Sequence, residues 1–197
     1  MAAAVISACT TVIVAALVFA LNQYAQIQAE RRQARLLRVN TQLRKFYGPL
    51  YVLVDVNECI YQSLMAAGLP GKRDRTKDTL AVGWQKWLDH ALFPANMKMR
   101  DLIISNGDLL REEAMPDELR KFCAHVSYFE VSRATGPQGA EADGAYIGHP
   151  GDVYVAYVRG AYAALKREQR ELLTADERGS RLRIRRLPRR RLPVSPP

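Results

Sequence analysis

The fold turns on residues 2–21, AAAVISACTTVIVAALVFAL, twenty positions without a charged side chain. As a helix they would reach about 30 Å, the thickness of a bilayer's hydrocarbon core. Seven of the twenty are alanine and three are serine or threonine, so nine strongly apolar side chains drive insertion and the anchor is a modest one. One rival reading is a cleaved signal peptide, with Val18-Phe19-Ala20 a loose match to the small-residue pattern before a cleavage site. A signal peptide opens on basic residues, however, and no Lys or Arg precedes this run. Another is a buried core helix. Basic residues follow the run instead: Arg31, Arg32, Arg35, Arg38, Arg44 and Lys45, opposed only by Glu30. The positive-inside rule then places the C-terminal side in the cytoplasm. The expectation is one uncleaved span in the plasma membrane (a bacterial inner membrane), N-terminus outside.

Working outward, nothing from Asn22 to Phe46 breaks a helix, and Gln, Ala, Glu, Arg and Leu dominate, so the span should continue into a stalk. Apolar spacing then becomes regular. Leu36, Leu43, Leu50, Asn57 and Leu64 fall seven apart, and Val39, Phe46, Leu53 and Ile60 follow the first four by three. This is a coiled-coil type seam. Gly48-Pro49 interrupts it, because Pro49 lacks a backbone donor and crowds the carbonyl four residues earlier. The register survives the proline, which reads as a kink in one long helix, with two helices sharing a direction as the alternative. Two uses of the seam remain open: packing against the protein's own later helices, or self-association in which Asn57 fixes the register.

Gly68-Leu-Pro-Gly71 and the charged residues after it mark a loop. A second helix should carry Leu80, Trp84, Trp87, Leu88 and Ala91 on one face, with both tryptophans in the core, and end near Phe93-Pro94. A third should start with Asn96 as its cap and bury Met99, Leu102, Ile103, Leu109 and Leu110, weakened at Ser105-Asn106-Gly107. Pro116-Asp117-Glu118 reads as the start of a fourth, with Leu119, Phe122, Val126 and Phe129 inward and Arg133 returning to water. Residues 136–151, with five glycines and two prolines, form a long connection. Asp152 opens the last helix, with Tyr154, Tyr157, Val158, Ala161 and Leu165 on one side.

Charge is concentrated at two places. Residues 30–45 carry +5 and residues 178–197 carry +8 in a chain whose net charge is +9, leaving the part between at −4. The C-terminal run holds eight arginines, no acids and several prolines, and is expected to be disordered when free. Held near a leaflet by the anchor, it suits anionic lipid headgroups; a merely solvated tail and nucleic acid are the alternatives, the last weakened by the lack of interleaved aromatics. The candidate lipid contacts are Arg31, Arg32, Arg35, Arg38, Arg185, Arg186, Arg189, Arg190 and Arg191. Three scattered cysteines, Cys9, Cys59 and Cys123, give no disulfide framework and fit a reducing compartment.

Signatures of catalysis are missing: no phosphate-cradling Gly-rich loop, Cys-x-x-Cys, His-Glu-x-x-His or Gly-x-Ser-x-Gly. His90, His125 and His149 sit in separate elements and none forms an i, i+4 ligand pair, so neither a metal nor a cofactor is expected. Asn57, Asn106, His125 and Glu130 are the residues a polar internal pocket would use, which would favour ligand sensing or chemistry. A dry core with an exposed apolar patch would favour partner binding instead.

Lys45-Phe-Tyr-Gly-Pro-Leu50, Met99-Arg-Asp-Leu-Ile103 and Leu165-Lys-Arg-Glu-Gln169 resemble patterns in a group of bacterial proteins with one N-terminal membrane segment and a cytoplasmic helical domain. The resemblance covers much of the soluble part and implies a bacterial inner-membrane setting. It brings no activity and no functional residues.

The expected architecture is therefore all-α: an anchor over 1–22, a basic stalk over 23–46, a bundle of about five helices over 47–176 and an Arg/Pro-rich tail over 177–197. The expected role is a membrane-anchored adaptor or scaffold that binds a protein partner or itself. A module signalling through the kinked helix to the membrane is the alternative, and a membrane-associated hydrolase the third reading.

Overall fold

The computed structural model describes residues 2–68, 82–135 and 147–186, with side chains over 12–68, 84–134 and 147–175. Among them every regular element is helical: α1 (Ala2–Gln42), α2 (Gly48–Ala66), α3 (Val82–Trp87), α4 (Phe93–Ser105), α5 (Asp117–Thr135) and α6 (Asp152–Arg186). A π-helical segment, Leu43–Tyr47, joins α1 to α2, and a second, Leu88–Leu92, joins α3 to α4. The all-α class with a long N-terminal apolar helix is thus as the sequence indicates.

Both π segments sit just before a proline, for the same physical reason. Pro49 and Pro94 have no N–H, and their rings would crowd the carbonyl four residues back in a regular α-helix. Widening the preceding turn by one residue avoids the collision. Gly48 N–H accordingly reaches back five residues to the Leu43 carbonyl, and Phe93 N–H reaches the Leu88 carbonyl. A Cβ at Gly48 would collide with that Leu43 oxygen, which explains glycine at a position with ordinary helical torsions. The helix expected to end at Phe93-Pro94 therefore runs on through the proline. Asn96 lies inside α4 and does not cap it; the N-cap position belongs to Leu92.

The chain divides into two compact units, residues 41–167 and residues 1–40 with 168–197. In the first, Phe46, Tyr47 and Leu50, Met99 and Ile103 of α4, Leu119, Phe122 and Val126 of α5, and Tyr154, Val158 and Leu165 of α6 are all essentially inaccessible to solvent and form its core. Each contributes roughly 1.5–3 kcal/mol from apolar burial. Phe122 stacks on Tyr154 with ring centroids 4.1 Å apart, and Tyr51 stacks on Tyr162 at 4.4 Å. A smaller cluster of Leu64, Trp84 and Leu92 closes the other end, flanked by Ile60, Tyr61 and Leu88. Trp84 is buried but Trp87 is 47% exposed, so only one of the two tryptophans is core.

The heptad seam is buried by the protein's own helices, but with a shifted phase. Leu43, Phe46, Leu50 and Leu64 are buried, whereas Leu53, Asn57 and Ile60 are half-exposed and Val54 takes an inward place. The extra residue in the π segment and the drift of a 3.6-residue helix against a 3.5-residue pattern account for the change.

In the other unit α1 carries the apolar segment. Its side chains from Val12 to Ile27 are exposed throughout, including Val12, Leu17, Phe19 and Leu21, so this is no buried core helix. It is long and apolar enough to cross a membrane. Farther along, Arg35 pairs with Glu168 of α6 at 2.6 Å and Asn40 accepts a hydrogen bond from Gln169 at 2.6 Å. The helix α6 continues to Arg186, ten residues past the boundary drawn at 176 from composition. Its Ala, Leu, Glu, Gln and Arg content sustains a helix until Pro188 approaches. Residues 187–197, which complete the expected tail, lie outside the described residues.

Candidate functional site

The four residues proposed for a polar pocket are each engaged with a different partner. Asn57 on α2 donates from Nδ2 to Asn96 Oδ1 on α4 at 3.1 Å, while its own Oδ1 is buried without a partner. Asn106 folds back on the Leu102 carbonyl at 2.9 Å and closes the end of α4. Glu130 of α5 accepts from Arg100 of α4, whose guanidinium also reaches Asp101 at 2.9 Å. These carboxylates hold the Arg100 guanidinium firmly charged, Glu130 first. Asn57 and Glu130 therefore tie α4 to α2 and to α5.

His125 belongs to an aromatic cluster. Its Nδ1 donates to the Ile147 carbonyl at 2.7 Å, and its ring lies edge-on to His149 at 5.0 Å and beside Phe129 at 5.0 Å. His149 Nδ1 accepts from Gly151 N–H at 2.9 Å, so this ring carries its proton on Nε2. The two imidazoles thus use Nδ1 in opposite senses, one donating and one accepting. Gly151 adopts φ 63°, the left-handed turn that leads into α6 and that a Cβ would strain. Together these contacts fix the start of α6 against α5.

A second polar layer was not foreseen from the sequence. Tyr47, in the π segment, is completely buried, and its hydroxyl accepts from Arg111 N–H at 3.3 Å and meets the Tyr157 hydroxyl at 3.5 Å. Tyr157 donates to Glu112 Oε2 at 3.0 Å, and Gln42 Nε2 donates to the Leu109 carbonyl at 3.1 Å. The connection from α4 to α5 is thereby bonded to the first helix and to α6. Burial raises the pKa of both phenols above the ordinary tyrosine value, and for Tyr157 the neighbouring Tyr47 and Glu112 push the same way. Both stay protonated and act as hydrogen-bonding struts. The only signal in the sequence is a tyrosine at Tyr47, beside Gly48-Pro49, and another on the inward face of α6.

Elsewhere, Arg133 lies over the Phe93 ring at 4.8 Å and pairs with Asp89 at 2.6 Å, holding that carboxyl below its usual range. Burial pushes the Cys123 thiol up to about 11, whereas Cys59 is exposed. Among the described residues no group of three or more His, Cys, Asp or Glu converges as metal ligands would.

The basic residues proposed for lipid contact fall on two helices. Arg31, Arg32, Arg35 and Arg38 project from α1 and are exposed, with Arg32 Nε bonded to the Gln28 carbonyl and Arg35 held by Glu168. Arg185 and Arg186 are the last two residues of α6. Arg189, Arg190 and Arg191 lie outside the described residues. Comparison with protein-family models, with curated proteins and with solved structures returns no match.

Proposed function

We propose that this protein is a single-pass membrane scaffold or adaptor, anchored by residues 2–21 in a bacterial inner membrane with its N-terminus outside, whose cytoplasmic bundle presents a surface to a protein partner or to a second copy of itself. The observation that carries the reading is a helical run from Val12 to Ala66, widened at Leu43–Tyr47, that begins as an uncovered apolar segment and farther on buries Phe46, Leu50, Val54 and Leu64. On its bundle portion, Val52 and Val56 are more than half exposed, one helical turn apart, with exposed Cys59 next on the same face. Apolar side chains aligned outward on a helix supported by a packed core suit partner binding.

The test is site-specific photo-crosslinking in native membranes, with the photoreactive residue replacing Val56 and, as a control, Glu113. A discrete adduct, found at Val56 alone and identified by mass spectrometry, is expected. Recovery of the uncrosslinked monomer alone from both positions would count decisively against a scaffold. A second reading, a module that transmits a change between bundle and span, draws on the π segment at Leu43–Tyr47, where the continuous helix is bonded to the α4–α5 connection through Tyr47. It predicts that Tyr47→Phe alters a membrane-linked output without abolishing crosslinking at Val56.

A further inference from the structure

We propose that the arginine-bearing end of α6, Arg178 to Arg186, forms with Arg31 and Arg32 of α1 a binding surface for anionic phospholipid headgroups, in the leaflet from which the stalk emerges. The inference rests on the reading of residues 2–21 as a membrane span. The sequence alone points to a shapeless basic tail; a continuous helix with a defined starting point is a different object.

Its geometry follows from two contacts within one compact unit. Arg35 meets Glu168, and Asn40 meets Gln169. From there α1 recedes toward its N-terminus while α6 advances toward its C-terminus, so in the unit they share the two helices lie antiparallel. Leu21, the end of the apolar run, lies fourteen residues before Arg35, about 21 Å along a helix that rises 1.5 Å per residue. The same distance along α6 from Glu168 reaches about Leu182, and the Asn40–Gln169 pair shifts that level by about six residues toward the C-terminus, to the end of α6. Between the two levels lie Arg183, Arg185 and Arg186, with Arg178 and Arg181 on the turns just before them, so this arginine-bearing end is carried toward the height where apolar positions of α1 give way to polar ones.

Charge patterning on α6 changes at the same point. From Lys166 to Glu177 basic and acidic residues mix, as on an ordinary solvated helix; from Arg178 onward there is no acid. Arg178 and Arg181, Arg181 and Arg185, and Arg183 and Arg186 fall at spacings where like charges on one helix repel. A surface of phosphodiesters relieves that repulsion and supplies acceptors for guanidinium donors. On the membrane side of the Arg35–Glu168 pair, the stalk adds exposed arginines at Arg31 and Arg32. The attraction is carried by charges near an anionic leaflet and fades over a Debye length, so salt must weaken it.

The experiment uses the full chain, with Cys9→Ala, Cys59→Ser and Cys123→Ala, reconstituted into nanodiscs of phosphatidylcholine alone or with one-third phosphatidylglycerol. A nitroxide label replaces either Leu182 or, as a depth reference, Phe19. The expected result is a several-fold loss of accessibility of the Leu182→Cys label to an aqueous relaxation agent on adding phosphatidylglycerol. High salt should reverse the loss, as should replacing all five arginines by glutamine, while the Phe19→Cys label stays in hydrocarbon throughout. Equal accessibility in both lipids, with the Phe19→Cys label in hydrocarbon, overturns this inference and leaves the anchor standing. A Phe19→Cys label in water removes the anchor and this inference with it. Shielding in neutral discs by inorganic phosphate or an oligonucleotide, to the extent phosphatidylglycerol achieves, overturns lipid headgroups as the ligand.

Discussion

Replacing glycine by alanine at two helical positions should change stability in opposite directions. At Gly160, in the third turn of α6, an added Cβ meets nothing within 4 Å, so Gly160→Ala should gain about 1 kcal/mol from helix propensity alone. Gly48 also has right-handed helical torsions, φ −67° and ψ −57°, and on propensity alone would gain the same. Its Cβ, however, falls on the Leu43 carbonyl oxygen, the acceptor for Gly48 N–H in the π segment. Losing that bond costs about 1 kcal/mol. Shifting the backbone against Phe46, Tyr47 and Leu50, none of which has any exposed surface, adds an overpacking cost of about 1–3 kcal/mol. After the propensity gain, Gly48→Ala should be destabilised by about 1–3 kcal/mol, a spread of about 2–4 kcal/mol between the two variants. Urea unfolding of the full chain in detergent, followed by near-ultraviolet circular dichroism of the packed tyrosines, measures both. Equal stabilisation by both substitutions would refute the argument, because the Leu43 carbonyl could not then stand where a π turn puts it.

Three further outcomes follow from the contacts. Tyr47→Phe keeps the ring but removes the acceptor of Arg111 N–H and a partner of Tyr157; it should cost about 1 kcal/mol and speed amide exchange at Arg111. Arg133 depresses the folded-state pKa of Asp89, so this carboxylate contributes stability above its unfolded value, and the contribution is lost as pH falls through the lower folded value. Asp89→Asn should therefore lower stability at neutral pH by at most about 1 kcal/mol for so solvent-accessible a pair, and flatten the acid limb below about pH 4, read by unfolding titrations across that range. With its thiol held up to about 11 and half-buried, Cys123 should resist maleimide at pH 7.5 until urea unfolds the bundle, whereas exposed Cys59 reacts in the native state; peptide mass spectrometry separates the two.

Features written in local composition and period were legible in the sequence. The charge-free run of residues 2–21 and the spacing of Leu43, Phe46, Leu50 and Leu64 each show within a few turns of chain. What escaped reading depends on partners far away or on a compensation the residue types do not spell out. Pro94 reads as a helix end because an α-helix cannot accommodate it; the π turn over Leu88–Leu92 removes that objection, and its only trace is a leucine six residues before a proline, shared with Leu43 and Pro49. Trp87 reads as core because it shares a helical face with Trp84, yet the widened turn that follows redistributes the inward positions. Tyr47 and Tyr157 stand 110 residues apart, and no local pattern joins them. The proposed pocket residues shared polarity but not a place: Asn57 and Glu130 brace helix pairs, Asn106 closes a helix end, and His125 holds the approach to α6.

The fate of the seam narrows where a second chain can bind. Leu43, Phe46, Leu50 and Leu64 are covered within a single chain, so an association through them would require opening the core, at a cost of several kcal/mol from their apolar burial. A second copy or another protein must use faces the bundle leaves outward. On the continuous helix those include the side of α2 that carries Val52 and Val56 and the uncovered side chains of Val12 to Leu21. The two faces belong to different solvents under the anchor reading: lipid is already an adequate partner for the second, whereas water is a poor one for the first. Because hydrophobic attraction acts on the first and not on the second, the proposed association would begin on the α2 face.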